Sequence, residues 1–223
     1  MYKTETHSHT SESSPCGFLP AEQLVHLYKC AGFKTVIITD HACRYAFHRI
    51  ECKPWDKKID HLMKGYKKAK AHGDKIGVNV LFALETVPCD IGNDYILFGI
   101  TEELLRATPH LHSMTIKDLV KFTQDNNIFM VQAHPARQHI IANAHEFNLG
   151  VEAYNGQYLA DSRNASALEY ATKHNLYMIS GSDSHKTCDI ARGGIITKTE
   201  IKTIADFINA VKSRDIELIT SKD

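Results

Sequence analysis

Short apolar runs alternate with amphipathic helical patterns along almost the whole chain. Seven runs rich in β-branched and aromatic residues predict strands, at residues 2–9, 34–41, 78–85, 94–100, 127–135, 150–156 and 176–185. Helical patterns cover about 20–31, 59–69, 115–126, 137–147, 162–175 and 203–214, and a run at 216–220 predicts an eighth, peripheral strand. Such alternation predicts a largely parallel sheet, either open or closed into a barrel.

Composition limits the class of protein. Of 223 residues, 43% are hydrophobic and 23% are charged, which is enough apolar material for a sizeable core. Lys plus Arg and Asp plus Glu both total 26, and this balance argues against a strongly basic nucleic-acid binder. Apolar runs all fall short of the roughly 18–20 residues of a membrane span, and the polar start gives no signal-peptide pattern. We expect one domain over residues 1–223, located in the cytoplasm and without a membrane partner.

Cysteine and histidine usage differ sharply. The six cysteines are scattered without a C-x-x-C pair, which argues against a zinc ribbon, and reduced thiols are expected in the absence of a secretory signal. Histidine is abundant, with 14 residues against 26 Lys plus Arg. This surplus indicates that some histidines could bind metal.

Ionisable side chains lie at the ends of five predicted strands. In chain order they are His7 and His9, Asp40 and His41, Glu85, His134, and Asp183 and His185. In a parallel α/β barrel the strand ends that lead into the helices lie on one face, so these side chains should meet there. Imidazole and carboxylate are ligands of Zn, Mn and Fe, and burying so many ionisable groups without a metal would be costly. The pattern therefore predicts a multinuclear metal site.

The same residues resemble the PHP (polymerase and histidinol phosphatase) domain family. The shared motifs, in the family's order, are H-x-H-T at 7–10, T-D-H at 39–41, Glu85, A-H-P at 133–135 and S-D-S-H at 182–185. Small stand-alone bacterial members also share C-G after the first motif, G-Y-x-x-A-K (65–70), N-D-Y (93–95), E-x-Y-N-G (152–156) and R-G-G (192–194). The resemblance covers nearly the whole chain. It implies a distorted (β/α)7 barrel, two or three bound Zn, Mn or Fe ions, and phosphoesterase activity.

The resemblance also implies which residues bind each metal. The first ion would be bound by His7, His9, Glu85 and Asp183. The second ion would be bound by His134 and by Glu85, which would bridge the two ions. The third ion would be bound by His41 and His185. Asp40 is expected to support a histidine rather than to bind metal.

Two positions depart from the family pattern. Some relatives have a histidine shortly after the fourth strand that completes the second metal site, where this chain has Thr101. Relatives also commonly place Asp or His in the loop after H-x-H, where this chain has Cys16 and Gly17. Cys16 is therefore a candidate thiolate ligand of a third ion, and a turn residue without metal contact is the equal alternative.

Phosphoester hydrolysis would use a hydroxide activated by two metals that attacks phosphorus in line. The catalytic residues would be Glu85, His134, Arg137 and Asp183. Arg137 could bind a phosphate as a bidentate donor, or it could be a surface residue paired with a carboxylate. Arg192 is a second candidate for phosphate binding, and Asn155 could orient the substrate or satisfy backbone groups.

Other functions stay open. The same fold could serve a nuclease or nucleotide phosphodiesterase, a protein-tyrosine phosphatase, or a non-catalytic metal-stabilised binding module. Balanced charge argues against long nucleic acids but not against nucleotides, and inactive family members usually lose ligands that this chain retains. We expect a small phosphorylated substrate, whose identity spacing does not reveal. The sequence does not specify the oligomeric state either. The long loop at 42–56 could cover the site.

Overall fold

The computed structural model describes residues 1–221, which fold around a mixed β-sheet. Its strands are β1 (Tyr2–Glu5), β2 (Phe33–Ile38), β3 (Asn79–Thr86), β4 (Tyr95–Phe98), β5 (Phe129–Gln132), β6 (Gly150–Asn155), β7 (Met178–Gly181), β8 (Ile195–Thr197) and β9 (Glu217–Leu218). The helices are α1 (Ala21–Cys30), α2 (Arg44–Phe47), α3 (Trp55–Ile76), α4 (Glu102–Ala107), α5 (Ile116–Asp125), α6 (Asn164–Lys173) and α7 (Ile204–Ser213).

The sheet runs in the order β7-β6-β5-β4-β3-β2-β1-β8-β9. Strands β1, β2 and β3 are mutually parallel, as are β5, β6 and β7, whereas β4 is antiparallel to both of its neighbours. The segments after β1 and β7 pair through a bridge between Ser8 and Ser184, which brings the β7 edge of the sheet next to β1. The expected distorted barrel is therefore confirmed as a nearly closed, barrel-shaped sheet, although β4 makes it less parallel than the alternation predicted.

Amphipathic helices cover the outside of this sheet. The buried face of α3 carries Ile59, Leu62, Met63 and Ala69, which follow the helical period of three and four residues. Helix α3 ends at Gly77, whose φ of 73° lies in the left-handed region that glycine adopts without strain. The apolar stripe thus fixes which face of the helix meets the sheet.

The predicted helix at about 137–147 is wrong. This segment forms turns followed by a 3-10 helix at Ala144–Phe147. Its backbone is held by two side-chain amides, one from the loop before β4 and one from β5. Ile141 N donates to Asn93 Oδ1 (3.1 Å), and Asn143 N and Ala144 N donate to Gln132 Oε1 (both 3.0 Å). These bonds replace the hydrogen bonds that a helix would need.

The remaining elements match the predictions in part. All seven predicted strands have counterparts in β1–β7, and the peripheral strand at 216–220 is present as β9. Strand β8 and helix α4 were missed because three and six residues are too few to show a period. Within residues 1–221, no helix combines the length and the apolar character needed to cross a membrane.

Candidate metal centre

Four side chains from different parts of the chain converge on one point. His7 Nε2 and His9 Nε2 lie 3.1 Å apart, because residues two apart in an extended segment point the same way. Glu85 Oε2 lies 3.4 Å from each of these nitrogens, and Asp183 Oδ1 lies 3.4 and 3.3 Å from them. All four side chains are at most 2% exposed.

These separations fit a divalent metal. Ligands held about 2.0–2.1 Å from a tetrahedral ion are about 3.3–3.4 Å from one another, and five donor separations in this group fall between 3.1 and 3.4 Å. The buried atoms Glu85 Oε1 and His41 Nδ1 also make no hydrogen bond within the described residues, although buried polar atoms are normally satisfied. The donor set and its unpartnered atoms together indicate a place for a cation.

Glu85 lies between this group and two others. Its Oε2 is 3.2 Å from His41 Nδ1, and its Oε1 is 3.6 Å from His134 Nε2. Donor atoms of His41, Glu85 and Asp94 lie within 4.8 Å of one another, as do those of His9, His41 and His185. A carboxylate with donors on both oxygens has the geometry needed to bridge two ions.

Asp94 is a candidate site residue that the sequence analysis did not single out, although it lies in the N-D-Y motif at 93–95. It directly precedes β4, and because β4 is antiparallel, the start of this strand rather than its end lies at the mouth of the barrel. Its Oδ2 lies 3.8 Å from His134 Nε2. Thr101, where the missing ligand was sought, lies at the opposite end of β4 and caps α4 by accepting a hydrogen bond from Leu104 N (3.2 Å).

Glu152 is a second missed residue, although its motif was noticed. It is fully buried on β6, and its Oε1 accepts a hydrogen bond from His7 Nδ1 (2.9 Å). Its Oε2 accepts from His134 N (2.9 Å) and from Asn155 Nδ2 (2.8 Å). A carboxyl group on the far nitrogen of a metal-binding histidine fixes the tautomer and orients the ring.

Glu5, the last residue of β1, forms hydrogen bonds with the segments that follow β1 and β7. Its Oε1 accepts hydrogen bonds from Thr6 N, His7 N and Ser182 N, each at 2.9 Å. Burial raises the pKa of Glu5 to about 6 even though these donors favour the ionised form. This carboxyl group therefore positions the backbone of both the H-x-H and the S-D-S-H segments.

Asp40 is connected to a candidate histidine ligand through another side chain. It accepts from Thr10 N (2.7 Å) and from Ser14 Oγ (2.6 Å), and Ser14 Oγ is 3.4 Å from His9 Nδ1. Burial raises the pKa of Asp40 to about 7. The expected support of a histidine by Asp40 is thus indirect and passes through Ser14.

Arg137 and Asn155 both contact Asp183. Arg137 Nη2 donates to Asp183 Oδ2 (2.8 Å) and to Asn155 Oδ1 (2.8 Å), and Asn155 Nδ2 donates to Asp183 Oδ2 (3.2 Å). Asp183 Oδ2 is therefore held by these two residues while Oδ1 faces the histidines. Of the alternatives for Arg137, pairing with a carboxylate is present, and the partner is a candidate metal ligand.

Two candidate ligands lie in backbone conformations that non-glycine residues seldom adopt. The φ of His134 is 28° and that of Asp183 is 49°. Such conformations cost about 1–3 kcal/mol each and persist where surrounding contacts hold them. Here Glu152 binds the His134 backbone and Arg137 binds the Asp183 side chain.

Cys16 and Arg192 lie nearer the edge of the site. Cys16 is half-buried and belongs to none of the three donor groups found among the described residues. Burial and the nearby Glu85 and Asp183 charges raise the pKa of its thiol to about 12. Arg192 Nε donates to Gly156 O (2.9 Å), and its guanidinium carbon lies 5.1 Å from the Tyr158 ring centre.

Charges within the centre are strongly coupled. Burial disfavours the charged forms of Glu85 and Asp183, but the His7 charge and the other nearby histidines together outweigh burial and hold the pKa of both carboxyl groups well below the usual range. Despite its burial, the carboxylates hold the pKa of His7 well above its usual value. Burial and two neighbouring histidines lower the pKa of His9 to about 3. Ionised carboxylates beside a neutral imidazole are the forms that bind cations.

Comparison with known proteins agrees with this fold. A family model described as PHP-associated matches residues 161–216. No curated protein matches the chain. A Bacteroides vulgatus two-domain protein containing a predicted PHP-like metal-dependent phosphoesterase superimposes with a TM-score of 0.70 at 16% identity. That match covers 98% of this chain, which spans only 64% of the longer protein.

Two further solved structures share the fold. PsfC from Pseudomonas syringae superimposes with a TM-score of 0.72 at 15% identity, over 99% of this chain and 91% of PsfC. An amidohydrolase from Chromobacterium violaceum with bound sulfate gives 0.55 at 15% identity, over 82% and 87% of the two chains. The family-model match is confined to residues 161–216, and the solved structures show that this chain shares their fold.

Proposed function

We propose that this protein is a metal-dependent phosphoesterase that hydrolyses a small phosphate ester in a site of two or three divalent ions. The observation that carries the proposal is the position of Glu85, whose two oxygens face different groups of donors. His7 and His9 lie 3.4 Å from Oε2, and His134 lies 3.6 Å from Oε1. Bridged pairs of ions about 3.5–4 Å apart are typical of enzymes that transfer or hydrolyse phosphoryl groups.

The proposed ligands extend the set that the sequence implied. The first ion would be held by His7, His9, Glu85 and Asp183; the second by Glu85, His134 and the newly found Asp94; and a third by His41 and His185, with Cys16 as a further candidate. The nitrogen and carboxylate donors suit Zn, Mn or Fe, and a thiolate from Cys16 would favour Zn or Fe over Mn.

Divalent ions bound here would supply acidification of a water molecule and neutralisation of charge on the phosphoryl oxygens. The protein's own residues prepare the site for this. Glu152 keeps the proton of His7 on Nδ1, so that Nε2 can act as a ligand. Arg137 orients Asp183 through Nη2, while its Nη1 makes no hydrogen bond within residues 1–221 and can donate to a phosphoryl oxygen.

The proposal can be tested by measuring metal content and phosphate release. We expect the purified protein to contain transition metal and to hydrolyse members of a phosphoester panel with added Mn, Zn or Fe. Replacing His134 or Asp183 by Ala should abolish turnover, because each removes a ligand, while thermal melting shows a retained fold. His26→Ala, at an exposed histidine on α1, is the matched control and should keep activity. Wild-type turnover in the His134 and Asp183 variants would contradict the proposal.

The same panel separates the alternative functions. Preference for nucleotide diesters or short oligonucleotides would favour a nuclease, and preference for phosphotyrosine peptides a protein-tyrosine phosphatase. Metal binding without turnover of any ester would favour a non-catalytic binding module. We further propose that residues 1–223 act as one PHP domain in the cytoplasm, which is supported by six cysteines that are all free thiols.

A further inference from the structure

A cavity of about 490 Å³ is lined by residues 43–45 and 87–92, which are close in the chain to candidate metal ligands. Two segments of its wall are direct continuations of candidate ligands. Cys43 is two residues after His41, and Val87 is two residues after Glu85. Two residues span at most about 7 Å, so the walls begin within that distance of the ligand backbones.

The third wall segment ends at the other side of the centre. Gly92 is two residues before Asp94, the ligand candidate at the start of β4. The cavity is therefore bounded by chain leading to all three members of the His41, Glu85 and Asp94 donor group.

The side chains around this cavity are mostly apolar. They are Cys43, Tyr45, Val87, Pro88, Cys89 and Ile91, and the charged residues Arg44 and Asp90 complete the wall together with Gly92. The carboxyl group of Asp90 is already engaged, because its Oδ1 accepts a hydrogen bond from Ile116 N (2.8 Å). The walls thus offer mainly apolar surface, with the exposed Arg44 as their other charged side chain.

A larger cavity elsewhere has no comparable relation to the chemistry. It measures about 710 Å³ and is lined by Tyr2, Lys198 and Asp215 among other polar residues. Tyr2 begins β1, so this cavity lies at the end of the barrel opposite to His7 and His9. Size alone therefore does not identify the substrate pocket.

We propose that the 490 Å³ cavity binds the alcohol portion of the phosphoester and that this portion is an apolar alkyl or aryl group. The inference rests on the proposed phosphoesterase function, which places the phosphoryl group at the metal ligands and the ester carbon beside them. A sugar or polyol would place hydroxyl groups against walls that are mainly apolar, and a hydroxyl group buried there without a hydrogen-bond partner is unfavourable. The volume lies within the range of about 300–1,000 Å³ that is usual for small-molecule pockets.

A series of unbranched alkyl phosphates tests this inference. Methyl to hexyl phosphate have leaving alcohols of nearly equal acidity, so chain length changes binding rather than chemistry. We expect kcat/KM to rise by up to about fourfold for each added methylene until the pocket is full, and glycerol phosphate to fall below propyl phosphate. Equal kcat/KM along the series would overturn the inference and leave the phosphoesterase proposal intact.

Variants assign the effect to this cavity. Ile91→Ser should flatten the dependence on chain length, because Ile91 is a half-buried part of the wall. Val87→Thr, which keeps the side-chain shape, should flatten it less and serves if Ile91→Ser fails to fold. Leu168→Ser is the matched control: Leu168 is 48% exposed on α6, and the dependence should persist. A slope unchanged in both wall variants would place the alkyl group elsewhere and overturn the assignment.

Binding measurements keep this test separate from the test of the proposed function. Alkylphosphonates resist hydrolysis, so their Kd values can be measured by calorimetry on the whole protein with and without Mn²⁺. We expect tighter binding with each added methylene, again reduced in Ile91→Ser. If no ester is hydrolysed but this dependence holds, the phosphoesterase proposal fails and the apolar pocket stands. If Kd does not depend on chain length, the pocket assignment fails.

Discussion

Replacing Glu152 by Gln should weaken metal binding through a proton on His7, without removing any ligand. The backbone N–H of His134 and the side-chain amide of Asn155 both donate to Glu152 Oε2, whereas His7 Nδ1 donates to Oε1. In glutamine the carbonyl oxygen is held on the Oε2 side by those two donors, so the NH2 group faces His7. The Nδ1 atom must then accept, and the ring proton moves to Nε2, the atom directed at the other candidate ligands.

The size of the effect follows from the bond that is lost. A hydrogen bond to a charged group contributes about 1.5–3 kcal/mol, and removing the carboxyl partner of a metal-binding histidine typically weakens metal affinity about 10- to 100-fold. The His7–Glu152 distance of 2.9 Å and the complete burial of both side chains place this bond among the stronger ones. We therefore expect affinity for the first ion to fall about 10- to 100-fold.

The assay is titration of Zn²⁺ or Mn²⁺ into metal-free protein, by calorimetry or by competition with a chromophoric chelator. Thermal melting of the metal-free variant checks that the buried substitution leaves the fold intact. Glu146→Gln, at an exposed position in the 3-10 helix, is the control and should bind metal like the wild type. A folded Glu152→Gln protein with wild-type affinity and stoichiometry would refute the tautomer argument.

Three further predictions concern the second ion, the packing and the pH. Asp94→Asn should lower the content of the ion beside His134 with little change in melting temperature, and a full wild-type content by elemental analysis would argue against Asp94 as a ligand. Gly193→Ala should destabilise the fold by about 1–3 kcal/mol in urea unfolding, because the added Cβ meets the backbone of Gly181, which cannot move aside; an unchanged midpoint would contradict this. Because the pKa of His7 is raised in the metal-free protein, metal binding must displace the His7 proton. Metal affinity should therefore fall as the pH falls, by up to about tenfold per pH unit for each displaced proton. A metal affinity that does not change with pH would contradict this prediction.

Strand ends and ligand types could be read from the sequence because both depend on local properties. Runs rich in β-branched and aromatic residues marked β1–β7. His7 and His9 follow β1, and Glu85 lies at the end of β3. The pairing of His7 with His9 needs only the period of two of an extended chain. The parallel strands then bring these ends to one face, which is why local reading was sufficient for most of the centre.

The direction of β4 was not readable in this way. The four residues YILF carry no signal that distinguishes parallel from antiparallel pairing. The alternation of the side chains and the strands on either side of β4 would be the same in both directions. Direction alone decides whether Asp94 or Thr101 lies at the mouth of the barrel. The wrongly predicted helix at 137–147 also depends on contacts outside the segment. Its backbone is held by the side-chain amides of Asn93 and Gln132, which lie earlier in the chain.

The sequence by itself determined the strand alternation and the candidate ligands at strand ends, because spacing along a strand dictates which side chains share a face. Only the tertiary structure decided which groups orient those ligands. Glu152 is 145 residues from His7, and Glu5 is 177 residues from Ser182, so neither contact has a local sequence signal. Hydrogen-bond partners of buried groups are set by the closing of the sheet, which brings the segments after β1 and β7 side by side.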